Sequence, residues 1–131
     1  MIYEIENIPK KLSYDLLDDA VHFAASFLGL DGTMVIQFET LPKHQCGFCD
    51  YEDQDDIIVI LARRLSRREL ILTLFHELVH VKQYVEGRLC DDTIWDGIDY
   101  SGVDYVELPW EQEAHELEQV MIEQFESKIK L

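Results

Sequence analysis

The 131-residue chain has no run of about 18 apolar residues, the length a membrane-spanning helix requires. Its start, MIYEIENIPKK, lacks a basic stretch followed by an apolar block, so no secretory signal is expected. Basic residues are scarce: 11 lysines and arginines stand against 27 aspartates and glutamates, a formal charge of -16. A surface of that sign repels phosphate backbones and anionic lipid, so neither nucleic acid nor membrane is an expected partner. Cysteines are few and odd in number (Cys46, Cys49 and Cys90), which argues for reduced thiols rather than a disulfide framework. Repeats and low-complexity segments are absent. What remains, 47% hydrophobic and 29% charged residues, is ordinary for a folded protein, and the length suits one domain over residues 1–131 in a cytoplasmic setting.

Apolar spacing divides the chain into elements. IYEIE (residues 2–6) alternates as a short half-buried strand does, and residues 12–28 repeat at helix spacing up to Gly29. MVIQFET (34–40) alternates again. The segment after Pro42 reads as loop, including the acidic EDQDD at 52–56, whereas IIVILA (57–62) is a continuous apolar run typical of a strand covered on both faces. Ser66 and Glu69 match a capping box, which starts a helix predicted over Arg67 to Glu86 and ended by Gly87. This helix is apolar nearly all round and belongs in the middle of a domain. Asp96-Gly97 between Ile94-Trp95 and Ile98–Tyr100 predicts a tight hairpin, and Pro109 opens a last, acid-rich helix.

The central helix carries His76, Glu77 and His80 in HExxH spacing. Residues four apart lie on one helical face, so both imidazoles can reach one ion, and neutral imidazole nitrogen suits zinc. Glu77, turned about 100° round the helix, stands beside that ion rather than on the ligand line, where a general base belongs. Reading the pair as surface histidines conflicts with the enclosing LTLF, LV and V, because buried imidazoles and a carboxylate need partners.

A third donor is sought on the last helix among Glu111, Glu113, His115 and Glu116. The apolar face runs through Trp110, Ala114, Leu117, Val120, Met121 and Phe125. Glu113 stands on it and is the expected third ligand, with Glu111 and His115 as the alternatives. Glu111 and Glu118 read as solvated, and His115, about 200° from Glu113, cannot share a metal with it.

HELVHVKQY followed by PWEQEAHE resembles the small HExxH proteins of the zincin class with a glutamate third ligand, the gluzincin-like arrangement. It is particularly similar to small metallopeptidase-like proteins of bacteriophages and prophages that pair an HExxH helix with a PWExEA segment. The likeness covers residues 57–121 at motif level. It implies a minimal zincin-like α+β domain, in which a small antiparallel or mixed sheet packs on an N-terminal helix, a central HExxH helix and a C-terminal ligand-bearing helix. It further implies His76, His80 and Glu113 as zinc ligands, Glu77 as catalytic base, and a peptide or protein substrate received at the sheet edge. The extra helical domain of larger gluzincins is missing.

The expected function is therefore zinc-dependent peptide hydrolysis. One alternative is a non-catalytic zinc-containing binding or regulatory module, whose sign would be a fourth protein ligand such as His115 or a cysteine. Another is a DNA-linked protease, which the charge opposes. Tyr100, Tyr105 and His115 are candidates for stabilising an oxyanion or supporting the ligands. Cys46 and Cys49 form a single CxxC, read as free thiols in a turn, and Trp95 and Trp110 read as packing residues.

Overall fold

The computed structural model describes residues 1–131. It begins with strand β1 (Ile2–Glu6), followed by helix α1 (Tyr14–Leu28). The helix starts two residues later than its apolar spacing suggests because Ser13 takes the N-cap, its side chain accepting from the Leu16 amide at 3.1 Å. Strand β2 (Thr33–Glu39) buries Met34, Ile36 and Phe38 on one face, as the alternation requires.

The sequence expectation for the next segment is corrected. Residues Gly47–Asp53 are not loop but strand β3, which forms a hairpin with β4 (Asp56–Ala62). GFCDYED has little intrinsic strand preference. Its extended form comes from the ladder with β4, and acids are tolerated because β3 is an edge strand. The four-stranded sheet has the order β1-β2-β4-β3, with β1-β2 and β2-β4 parallel and β3-β4 antiparallel. The central strand β4 buries Ile57, Val59, Ile60, Leu61 and Ala62, which accounts for its apolar run.

Helix α2 (Arg67–Val85) starts at the predicted capping box. The Glu69 amide donates to Ser66 Oγ at 3.2 Å and the Ser66 amide donates to Glu69 Oε1 at 3.1 Å. It packs against β3, β4, α1 and the last helix, α3 (Pro109–Glu126). Phe23 of α1, Phe75 of α2 and Phe125 of α3 meet with ring centroids 5.5–5.6 Å apart, pinning the three helices together; Phe75 and Phe125 belong to a core of 26 buried residues, and the half-buried Phe23 packs against it. Truncating one such ring to alanine costs about 3–5 kcal/mol.

Between α2 and α3 lie three two-residue strands, β5 (Leu89–Cys90), β6 (Ile94–Trp95) and β7 (Ile98–Asp99), paired antiparallel in that order. The predicted turn is present: Asp96 and Gly97 have φ of 49° and 82°, the left-handed pair that a two-residue hairpin needs. Leu89, Trp95 and Trp110 form a small apolar group of their own, and Tyr100 packs edge-on against Trp110. A 3₁₀ turn, Tyr105–Glu107, leads into α3. The fold is thus α+β, and none of its helices is long and apolar enough to cross a membrane.

Candidate metal centre

Helix spacing puts His76 and His80 on one face of α2, and their rings meet edge to face with centroids 4.7 Å apart. Between them reaches Glu111, from the first turn of α3. Its Oε1 lies 2.9 Å from His76 Nε2 and 3.1 Å from His80 Nε2, while the two nitrogens are 3.1 Å apart. Three donor atoms thus form a nearly equilateral triangle. Donors bound tetrahedrally at about 2.0–2.1 Å would stand about 3.3–3.4 Å apart, so this triangle needs only slight opening to accept an ion. The group His76, His80 and Glu111 is positioned to hold a metal ion.

Glu113 is not brought to the histidines. Its carboxylate is held by Arg88, at 2.8 and 3.2 Å, and by Gln83 Nε2 at 3.1 Å. The expected third donor is therefore corrected from Glu113 to Glu111. The angle at which α3 meets α2 turns the row Glu111, His115, Glu118 toward the histidines, and Glu113 lies about 200° from Glu111. That row also overturns the reading of Glu111 and Glu118 as solvated. Glu118 is 6% exposed, and Glu111 has a side chain 14% exposed. Spacing of i, i+4, i+7 beside the apolar face was the available signal for this row.

Both histidines are oriented from behind. Gln83 Nε2 donates to Trp110 O and Glu113 Oε1, each at 3.1 Å, so Gln83 Oε1 must be the atom facing His80, and His80 Nδ1 donates to it at 2.8 Å. In the neutral ring this leaves the Nε2 lone pair aimed at the triangle. Glu118 Oε1 serves His76, whose Nδ1 lies 3.5 Å away, and also accepts from His115 Nδ1 at 2.5 Å. The Tyr105 hydroxyl closes a ring of side chains, donating to Glu111 Oε1 at 3.0 Å and lying 3.0 Å from His115 Nε2. Tyr105 and His115 are thus drawn into the site, whereas Tyr100 is not.

Burial alone would lower the pKa of His76, but hydrogen bonds to Glu111 and Glu118 and the charge of Glu77 push it up to about 10. His80 is raised by Glu111, Glu77 and Gln83 against the same burial. Glu111, although buried, is held far below the usual carboxylate range by the two histidines. So many carboxylates around these imidazoles make the cluster a natural seat for positive charge, whether protons or a divalent cation. Glu77 differs from them. It is 5% exposed, its Oε2 has no hydrogen-bond partner, and burial raises its pKa against the pull of His80 and His76. An unpartnered buried carboxylate oxygen beside a His-His-Glu triangle fits a water held next to a metal.

No family model matches the chain, and no curated protein does.

Glu77 and Glu111 lie at the junction of two cavities along β3. One, of about 480 Å³, includes His76, Tyr105, His115 and Glu118; the other, of about 450 Å³, includes His80, Tyr84 and Trp110. Gly47 lines both. A Cβ there would stand 2.7 Å from Ile60 O and 3.0 Å from Thr73 Cγ2, so only glycine lets β3 approach α2 this closely. Cys46 is exposed and just precedes β3, and Cys49 lies within that strand, so the CxxC is not a turn. All three cysteines are free thiols and none joins a cluster able to hold metal. The Cys49 thiol is pushed well up by burial and then by Glu77, Asp50, Asp92 and Glu111.

Proposed function

We propose that this chain is a zinc-dependent metallopeptidase of minimal zincin-like form, with His76, His80 and Glu111 as the zinc ligands. The observation that carries the reading is the triangle of donors with the orphaned Glu77 carboxylate beside it. Zinc held there would polarise the scissile carbonyl and lower the pKa of a water in its open position.

The chain's own residues would do the rest. Glu77 takes the proton of the attacking water and returns it to the leaving amine, and its raised pKa suits that exchange. Tyr105, half-exposed in the larger cavity, supplies a hydroxyl to the developing oxyanion once a substrate displaces its bond to Glu111. Gln83 and Glu118 hold the two imidazoles in the ligating tautomer.

Substrate would bind in extended form along β3, whose only hydrogen-bonded neighbour is β4. The Ala62 amide donates to Cys46 O, which makes these two a hydrogen-bonded pair. Alternation in an antiparallel ladder then directs the main-chain groups of Gly47 and Cys49 away from β4, free to pair with a peptide.

A closed, non-catalytic site would need a fourth protein donor. His115, the nearest candidate, has both ring nitrogens engaged, with Glu118 and Tyr105. The test is zinc content and peptide turnover of the wild type beside Glu77→Gln and Glu111→Ala. Glu77→Gln should keep zinc and lose turnover by several orders of magnitude, and Glu111→Ala should lose most zinc. Unchanged turnover in Glu77→Gln would overturn the mechanism.

A further inference from the structure

The proposed peptidase reading leaves open whether the bond cut is terminal or internal, and the placing of the metal centre within its cleft bears on this. The two cavities share four lining residues, Gln45, Gly47, Glu77 and Glu111, so they form one cleft with the metal centre at their meeting point. Both walls run past that point in the same order. On α2 the first cavity takes in Glu69, Leu72 and Thr73, and the second takes in His80 and Tyr84. On the facing wall the first takes in His44 and Cys46, and the second takes in Phe48, Cys49 and Asp50.

The helix and the strand give two measures of that cleft. Glu77 stands eight residues after Glu69 and seven before Tyr84, which is roughly 12 and 10 Å of helix at about 1.5 Å per residue. Gly47 stands three residues from His44 and three from Asp50, at most about 10 Å of extended chain either way. Each arm thus matches about three residues of extended peptide. The outermost lining residues, His44 and Glu69 at one end and Asp50 and Asp92 at the other, are exposed, so a bound chain can run out into solvent in both directions.

Nothing in the cleft is set to hold a chain terminus. A terminal carboxylate drawn in beside the reacting bond needs a cation there, and no lysine or arginine lines either cavity. His115 has both ring nitrogens engaged, and His44 stands at the outer end. A terminal ammonium needs a free carboxylate. Glu77, Glu111 and Glu118 belong to the metal centre, Glu69 caps α2, and Asp92 accepts from the Tyr84 hydroxyl. Gly47 and Tyr51 face α2, where Tyr51 stacks on Tyr84, so alternation along β3 turns the Asp50 side chain to the other face of the sheet. We infer that, resting on the peptidase reading, the cleft takes an internal stretch of extended polypeptide, about three residues on each side of the metal centre, and that the enzyme is an endopeptidase needing no free chain end.

The experiment offers the zinc-loaded full chain peptides of about a dozen residues and varied sequence, each with both ends free and with both ends blocked by acetyl and amide. Products are read by mass spectrometry. Blocked and free forms should be cut at the same internal bonds, at rates within threefold of each other. One cut peptide is then shortened a residue at a time from each end. Leaving fewer than three residues on either side of the bond should lower kcat/KM at least tenfold, and residues beyond the third should change it less than threefold. Loss of cutting on blocking either end, or a length dependence on one side only, would overturn the inference and leave the peptidase reading standing. If neither form is cut, the peptidase reading fails, and anisotropy of the blocked peptides, fluorescein-labelled on a side chain, decides whether the cleft takes an internal segment. Affinity that falls at least tenfold as the peptide is shortened from either end sustains it; affinity unchanged by shortening, or changed from one end only, overturns it.

Discussion

The Nδ1 of His80 donates to Oε1 of Gln83 at 2.8 Å, and Gln83 is wholly buried between the metal-centre helix and the start of α3. Gln83 can face His80 in only this way, because its amide nitrogen is already committed to Trp110 O and Glu113. Helix packing thereby selects the tautomer of His80. Gln83→Leu, which keeps the bulk and removes the acceptor, should weaken zinc binding about 10- to 100-fold. Chelator competition measures this, and circular dichroism checks that the helices remain. An unaltered affinity would remove Gln83 from the site.

Glu113 is expected to matter far less than Glu111. Its ion pair with Arg88 leaves the two side chains 29% and 35% exposed, a setting where solvent screening limits a pair to about 1 kcal/mol or less. Glu113→Ala should therefore keep stoichiometric zinc while losing little stability in urea titration. Loss of zinc comparable with that in Glu111→Ala would restore Glu113 as a ligand.

Metal affinity should rise with pH. The folded pKa of His76, about 10, lies above its usual 6.5, so its protonated form stabilises the metal-free fold fully below about pH 6.5. That contribution fades as pH rises toward 10. An ion must displace the same proton from Nε2, so apparent affinity should increase across the window from about 6.5 upward, with proton release on binding. Calorimetry at pH 7.5 in buffers of different ionisation enthalpy reads the released protons directly, and a count of zero would contradict the geometry at His76.

Gly47→Ala should strain the cleft. The added methyl meets backbone at Ile60 O, which cannot move without breaking the β3–β4 ladder, and Thr73 on α2. A cost of about 1–3 kcal/mol is expected, as for other overpacked contacts. The urea midpoint should fall and KM for peptides should rise as β3 shifts. A midpoint equal to that of the wild type would mean that the strand is free to move.

Much of the site was legible because it is local. HExxH puts two imidazoles on one face in any α-helix, Ser66 and Glu69 cap that helix within four residues, and Asp96-Gly97 makes its turn unaided. The errors share a cause. Residues 47–53 are a strand because β4 offers a ladder, not because their side chains prefer one. Choosing Glu113 places a ligand at the centre of the apolar face. Glu111 instead lies at its border, on the side that faces His76 and His80.

By itself, then, the sequence determined the α2 helix, the placing of His76, Glu77 and His80 on it, and the order of the three helices with the strands β1, β2 and β4, since caps, turns and apolar periods act over a few residues. Only the tertiary structure decided which row of α3 meets those histidines, and that β3 forms the open edge beside them. Both depend on how separate elements cross and pair, and no spacing within a single element encodes that angle or register.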